Sequence, residues 1–247
     1  MKAFAFIAGA ITLLYLAYAT VVAVTQRSLL YFPSHETAGS SLAPWVESDT
    51  IIGYAHRVNH PRAVWLMTHG NAGQASGRGY VVPHVAPTDS LYVLEYPGYG
   101  LRAGAPSRDA MNAAAAAAYR ILRREFPSLP VGAVGESIGT GPAAFLGTLP
   151  DPPDRIVLIV PFDTLASVAA EHMPLLPTGL LLRDRWNNIE ALGNHSGPVE
   201  IYGAENDRII PCAHARHLAA HLPGAKFTVI AGGHNDWSDS ALVRIGH

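Results

Sequence analysis

Three residues of the kinds that together activate a nucleophile occur in this chain, each at a glycine-rich turn. Ser137 is central in the segment 135–139 (Gly-Glu-Ser-Ile-Gly), Asp207 lies within 203–211, and His234 follows two glycines. A serine hydroxyl becomes a good nucleophile when a base takes its proton, and that base is usually a histidine oriented by a carboxylate. Ser, then Asp, then His is one of the chain orders in which such triads occur. These residues predict acyl transfer by a nucleophilic serine.

Other carboxylates are alternatives to Asp207 as the partner of His234. Glu205 lies nearer the end of the preceding predicted strand, Asp236 is only two residues from His234, and Asp163 follows an earlier predicted strand. The segment between Asp207 and His234 has room for one helix and one strand. These two residues would then lie at the same edge of neighbouring parallel strands, where ligands bind. The spacing therefore favours Asp207.

Acyl transfer also needs backbone N–H groups that stabilise the oxyanion. One is expected from Ile138, directly after the serine, and the second from the loop 69–73, which follows an earlier predicted strand. Within that loop we choose Asn71, with Ala72 as the alternative. We expect His69 to be a buried residue that orients its neighbours rather than a catalyst.

Short apolar runs that end at turn residues alternate with helical segments along most of the chain. Such runs are typical of buried parallel strands, and their alternation with helices predicts an α/β fold with a mostly parallel sheet covered on both faces. The segment 45–58 is expected to form a hairpin. The predicted strands cover 63–68, 91–95, 131–134, 155–160, 199–202 and 226–230, and the predicted helices cover 109–126, a segment from Thr140, 211–222 and a final helix from Asp236.

The N-terminal segment is apolar, with no charged residue between Ala3 and Gln26. As a helix it is about 36 Å long, enough to cross a hydrocarbon core of ~30 Å. We expect residues 1–27 to be a retained anchor that contacts membrane lipid, followed by a connector over 26–44. The alternative is a cleaved signal peptide, since the residues 17–19 (Ala-Tyr-Ala) resemble a cleavage site.

The charges that flank the anchor bear on its orientation. Lys2 and the terminal amine slightly outweigh Arg27, which favours a catalytic domain, residues 28–247, on the outer face of the membrane. If the segment is cleaved, that domain is exported as a soluble protein. Within the domain, the segment 162–196 is too long for a simple connection and is rich in large apolar residues. It is either an ordinary helix with a loop or a small lid over a pocket.

The composition excludes several other classes of protein. The chain has 247 residues, of which 49% are hydrophobic, so it can bury a large core. A net charge of −2 offers no basic field to nucleic acid, and one cysteine rules out a disulfide framework and a cysteine-based metal site. His214, His217 and His221 share a helix face, but such a stripe is more typical of an exposed polar surface than of a zinc site. No metal or organic cofactor is expected.

Five segments together resemble the α/β-hydrolase superfamily. Within it, the chain is similar to the Bem46-like serine hydrolases, relatives of the membrane-anchored ABHD-type depalmitoylating and lipid hydrolases, which often carry a segment like 26–33 (Gln-Arg-Ser-Leu-Leu-Tyr-Phe-Pro) after one apolar anchor. The resemblance implies a triad of Ser137, Asp207 and His234, an oxyanion hole at Asn71 and Ile138, and esters or thioesters of acyl groups as substrates. The five segments are 69–73 (His-Gly-Asn-Ala-Gly), 95–100 (Glu-Tyr-Pro-Gly-Tyr-Gly), 135–141 (Gly-Glu-Ser-Ile-Gly-Thr-Gly), 206–211 (Asn-Asp-Arg-Ile-Ile-Pro) and 232–236 (Gly-Gly-His-Asn-Asp).

The chain departs from these relatives near the expected pocket. Glu95 stands where relatives often have Asp, Tyr202 precedes Gly203 where many have His, and the loop 74–79 is richer in Gly and Ser. None of these changes touches the expected triad. Two other functions remain open at this point: a peptidase-like amide hydrolase on the same triad, and a membrane-anchored scaffold without activity.

Overall fold

The computed structural model describes residues 1–36 and 39–246. Its strands are β1 (Phe32–Pro33), β2 (Ala43–Glu47), β3 (Thr50–His56), β4 (Val64–Thr68), β5 (Ala72–Gly73), β6 (Ser90–Leu94), β7 (Val131–Glu136), β8 (Ile156–Ile159), β9 (Val199–Ala204) and β10 (Lys226–Ile230). Its helices are α1 (Lys2–Leu30), α2 (Arg108–Glu125), α3 (Thr140–Leu146), α4 (Leu165–His172), α5 (Thr178–Leu181), α6 (Asn188–Leu192) and α7 (Cys212–Ala220). Short 3₁₀ segments cover Ala75–His84, Ser137–Gly139 and Asp236–Asp239.

Eight of the strands form one sheet in the order β10-β9-β8-β7-β4-β6-β3-β2. β2 and β3 form the expected antiparallel hairpin, β3 also pairs with β6 antiparallel, and every other neighbouring pair is parallel. The predicted α/β architecture with a mostly parallel sheet is therefore confirmed. β1 and β5 form a separate two-stranded parallel ladder.

The sheet is buried on both faces, as its continuous apolar strands require. In β4, Val64 and Leu66 pack into one hydrophobic cluster, which includes residues of α2, α3 and α7. Trp65 and Met67 alternate with them and pack into the other cluster, with Trp237 near the C-terminus. Packing on both faces holds the strands in place, so the loops at their carboxyl ends are built on a rigid edge.

Two expectations about element boundaries were wrong. α1 continues to Leu30, so the connector does not begin at Gln26; residues 37 and 38 of that connector lie outside the described residues. The final helix expected from Asp236 is only the 3₁₀ segment Asp236–Asp239. After it the chain turns back, and Ile245 is fully buried and forms a bridge to Val85; a longer helix would carry that side chain away from the core.

α1 is long and apolar enough to cross a membrane, by length and composition, and a signal sequence would have the same features. It has 29 residues, and its most apolar window has a mean hydropathy of 2.1. The segment 162–196 contains three short helices, α4 to α6, joined by loops. Both α1 and the segment 162–196 line the cavity beside Ser137.

Candidate active site

Ser137 lies at a sharp turn between β7 and α3. Its φ of 53° is in the left-handed region that a residue with a side chain rarely adopts. The turn is tight because glycines flank it: a Cβ at Gly135 would lie 2.6 Å from the Cα of Thr140, and one at Gly139 would collide with the carbonyl oxygen of Thr68. The strand, the turn and the helix thus present the Ser137 hydroxyl above the carboxyl edge of the sheet.

A continuous chain of hydrogen bonds joins Ser137, His234 and Asp207. The Nε2 atom of His234 is 2.8 Å from the Ser137 Oγ, and its Nδ1 atom is 2.6 Å from Oδ2 of Asp207. The carboxylate accepts a hydrogen bond from Nδ1–H, which leaves Nε2 free to accept the hydroxyl proton of Ser137. Ser137 follows β7, Asp207 follows β9 and His234 follows β10.

Asp207 is buried and held in one orientation. Its Oδ1 atom accepts hydrogen bonds from the backbone N–H groups of Ile209 and Ile210, each at 2.8 Å, while Oδ2 faces His234. The side chain of His234 is 9% exposed. A buried carboxylate in fixed contact with an imidazole can set its tautomer and stabilise its charged form.

The other carboxylates considered from sequence do not contact His234. Asp163 binds His214 and His217 instead, at 2.8 and 2.7 Å. Asp236 accepts a hydrogen bond from the Gly233 N–H, and Glu205 is exposed. The structure brings Asp207 alone among these candidates to the histidine.

Asn71 and Ile138, the expected donors to the oxyanion, line one cavity together with Ser137. The Asn71 side chain donates to the carbonyl of Leu30 at 3.0 Å, and its own carbonyl accepts from the Tyr99 hydroxyl at 2.7 Å. Its backbone N–H has no acceptor among residues 1–36 and 39–246. Ala72 pairs with Phe32 and does not line the cavity, so Asn71 fits the role better than Ala72.

His69 is fully buried and does not line the cavity. Its ring lies 4.3 Å from the ring of Tyr96, whose hydroxyl donates to the His69 carbonyl at 2.7 Å. Burial lowers the pKa of His69, because the charged imidazolium is poorly solvated there, although the nearby Glu95 acts in the opposite direction. His69 therefore supports the loop that carries Asn71.

Glu136 is a structural contributor that the sequence analysis did not single out. It is buried, accepts from the Gly70 N–H at 3.2 Å, and binds the Tyr80 hydroxyl and the Trp237 indole N–H at 3.0 and 3.1 Å. Arg78 lies 3.7 Å from the same carboxylate. Glu136 thus ties the serine turn to the Asn71 loop and to the segment after His234. In the sequence, the signal for this role was an acidic residue directly before the serine.

The cavity beside Ser137 is apolar and has a volume of about 280 Å³. Half of its lining residues come from the segment 162–196, for which a lid remains a prediction, and a quarter come from α1. The contribution of α1 was missed, because its composition indicated only a membrane anchor. The residues of α1 and of the segment 162–196 that line the cavity include Val22, Ala23, Gln26, Leu29, Leu30, Phe162, Leu165, Val168, Met173, Leu176, Leu181 and Leu182.

The histidine stripe of α7 is exposed at His217 and His221, as the sequence suggested, but not at His214. His214 is buried and shares the carboxylate of Asp163 with His217. Burial opposes ionisation of Asp163, but hydrogen bonds from His214, the Thr164 N–H and His217 outweigh it and lower its pKa to about 2. In the part of the chain that the structure describes, no group of three or more His, Cys, Asp or Glu side chains could hold a metal ion.

Comparison with known proteins finds named hydrolases among the relatives and structural neighbours of the chain. No protein-family model matches the chain. The uncharacterized protein Rv2307c of Mycobacterium tuberculosis (strain H37Rv) is 31% identical over 228 residues, which cover 85% of this chain and 81% of that protein. The lysophosphatidylserine lipase ABHD12 of Danio rerio is 29% identical over 62% of this chain and 45% of its own length.

Solved structures agree on the fold. The esterase Pf2001 of Pyrococcus furiosus superposes with a TM-score of 0.62 at 12% identity, over 85% of this chain and 94% of the esterase. Acyl-protein thioesterase 2 of Zea mays superposes with a TM-score of 0.51 at 15% identity, over 74% of this chain and 91% of the thioesterase.

Proposed function

The chain belongs to the ABHD-type α/β-hydrolases and is a hydrolase, and from that premise we propose that it cleaves carboxylic esters or thioesters through Ser137, His234 and Asp207. The observation that carries this proposal is the hydrogen-bond chain from the Ser137 Oγ through both imidazole nitrogens to Asp207. Relatives and structural neighbours named as a lipase, an esterase and a thioesterase support ester hydrolysis in general.

The proposed reaction has two halves. His234 takes the proton of Ser137 while the oxygen attacks the substrate carbonyl, and Asp207 stabilises the imidazolium that forms. The N–H groups of Ile138 and Asn71 receive the oxyanion. His234 then protonates the leaving group, an acyl-enzyme remains on Ser137, and water activated by the same histidine releases the acid.

An acyl chain is the part of the substrate that the cavity fits. The wall beside Ser137 is almost wholly apolar, so it can exclude water from a hydrocarbon chain but offers few partners to a peptide backbone. The apolar α1 would keep the domain, residues 28–247, near acyl lipids. Lys2 and the terminal amine together outweigh Arg27, which favours the outer face of the membrane for this domain.

The test is hydrolysis by the full-length chain in detergent. We expect turnover of p-nitrophenyl acyl esters and little turnover of aminoacyl p-nitroanilides, with no turnover of either by a folded Ser137→Ala variant. Faster cleavage of the amides would favour the peptidase-like alternative. Undiminished ester hydrolysis by Ser137→Ala would refute the proposed nucleophile.

A further inference from the structure

α1 presents one face to the catalytic domain over its last turns. Val22, Ala23, Gln26 and Leu30 are half-buried, whereas Val24 is 65% exposed. Residues spaced by three or four lie on the same side of a helix. This face lines the cavity that also contains Ser137.

Specific hydrogen bonds fix α1 against residues 162–196, here called the lid segment. The guanidinium of Arg27 makes two bonds, of 2.9 and 3.1 Å, to the buried carboxylate of Asp184. Gln26 donates to the Leu181 carbonyl at 3.0 Å and accepts from the Arg183 N–H at 2.6 Å. A flexible tether would need none of these contacts, and they hold the helix in one position relative to the cavity.

A second contact joins α1 directly to the loop 69–73 that carries Asn71. The Asn71 side chain donates to the Leu30 carbonyl at 3.0 Å, and Asn71 is the residue proposed to supply an oxyanion donor. The end of α1 is thus connected both to the lid segment and to the loop beside Ser137.

With α1 as the proposed membrane span, its length places this wall at the membrane surface. Its 29 residues extend about 43 Å at ~1.5 Å per residue, whereas about 20 residues cross a hydrocarbon core of ~30 Å. About nine residues therefore remain beyond the core, and Val22 to Leu30 is that part of the helix. The lid segment also contacts α1 nearer the start of the helix, where the Tyr15 hydroxyl donates to the Leu175 carbonyl. The Leu175 side chain is 79% exposed beside the apolar span.

We infer that the last two turns of α1 form one wall of the acyl-binding site and set the length of the acyl chain that Ser137 accepts. This inference rests on the proposed function. Leu30 lies at the end near Asn71, and Val22 lies about 12 Å further along the helix axis. Val22 and Ala23 thus bound the end of the cavity that an acyl chain reaches last.

The size of the cavity indicates the class of substrate. A cavity of ~150 Å³ holds a benzene molecule, with six carbons, so a volume of about 280 Å³ has room for roughly a dozen carbons by the same proportion. The inferred substrate is therefore the ester or thioester of a single acyl chain of medium length, about ten to twelve carbons, presented at a lipid surface.

The test compares two neighbouring substitutions in the full-length chain. Ala23→Phe fills the far end of the cavity, and Val24→Phe adds the same side chain on the exposed face one residue away. The readout is the ratio of kcat/KM for p-nitrophenyl dodecanoate to that for p-nitrophenyl acetate, in one detergent. Each methylene excluded from an apolar site changes binding about fourfold, so we expect Ala23→Phe to lower this ratio at least tenfold and Val24→Phe to leave it near the wild-type value.

A third variant removes side-chain volume and so cannot obstruct or unfold the site through a clash. Val22→Ala is expected to raise the rate on tetradecanoyl relative to dodecanoyl ester. The inference is wrong if all three variants keep the wild-type ratios, or if Ala23→Phe loses acetate and dodecanoate turnover in equal proportion. Absence of ester turnover by the wild-type chain would instead refute the proposed function, and this inference with it.

Discussion

Replacing Asp207 with Asn tests how the carboxylate controls His234. The Oδ1 atom accepts two backbone N–H bonds, from Ile209 and Ile210. An asparagine must therefore keep its carbonyl oxygen at that position, because its NH₂ group would otherwise face two donors. The NH₂ group then takes the place of Oδ2, 2.6 Å from Nδ1 of His234, and donates to it.

The consequence is a change of imidazole tautomer. Because Nδ1 accepts a hydrogen bond from the NH₂ group, the ring carries its hydrogen on Nε2, which can no longer accept the proton of Ser137. A wrong tautomer of this kind costs about 10⁴ in rate, which is about 5.5 kcal/mol at ~1.36 kcal/mol per factor of ten. The folded structure is expected to change little, since the side chain keeps its shape and both backbone hydrogen bonds.

The assay is kcat/KM on p-nitrophenyl esters at pH 7, with thermal melting to show that the variant is folded. Asp163→Asn is the matched control, because Asp163 is also a buried carboxylate that binds histidines but contacts neither Ser137 nor His234. We expect a loss near 10⁴-fold for Asp207→Asn and less than about tenfold for the control. A rate for Asp207→Asn within about tenfold of wild type, or an equal loss in both variants, would refute the tautomer argument.

Two further predictions concern stability. Gly139→Ala is expected to lower the free energy of unfolding by about 3 kcal/mol, because the added Cβ collides with the Thr68 carbonyl. The control Gly77→Ala, with nothing within 4 Å of the added Cβ, should melt near the wild-type temperature. Equal melting temperatures of the two variants would contradict the packing of the serine turn. The Asp163–His214 pair should stabilise the fold most between about pH 4 and 6.5. Folding lowers the pKa of Asp163 from 3.8 to about 2, so its contribution is present above pH 3.8 and is lost as the pH falls through 2. The hydrogen bond to Asp163 raises the pKa of His214 above 6.5, so the contribution of His214 is present below pH 6.5 and is lost as the pH rises through the folded pKa. The difference in melting temperature between wild type and Asp163→Asn should be largest in that window, and a difference that keeps growing above pH 8 would contradict this sign.

The sheet was predictable because its strands are apolar and end at turn residues. β10 occupies the predicted residues 226–230, and β7 extends two residues beyond its prediction, to Glu136, because the tight glycine turn begins only after that residue. The candidate triad was predictable for a related reason. Its residues follow strands whose carboxyl ends share one edge, and that placement depends on local sequence and on chain order.

The remaining features depend on partners distant in sequence. The burial of His214 comes from Asp163, on another segment, and a helix pattern alone does not reveal it. The docking of α1 comes from Asp184, 157 residues after Arg27. An apolar helix needs no such partner to be read as an anchor, so its role as a wall of the cavity appeared only in three dimensions.

Labelling with a fluorophosphonate probe tests the central claim most directly, because the probe reacts with a serine only when a base has activated it. The full-length protein in detergent would be treated beside folded Ser137→Ala, and the labelled peptide identified by mass. The account predicts a label on Ser137 of the wild type and none on the variant. A folded wild-type protein that takes no label, or a variant that takes as much as the wild type, would contradict it.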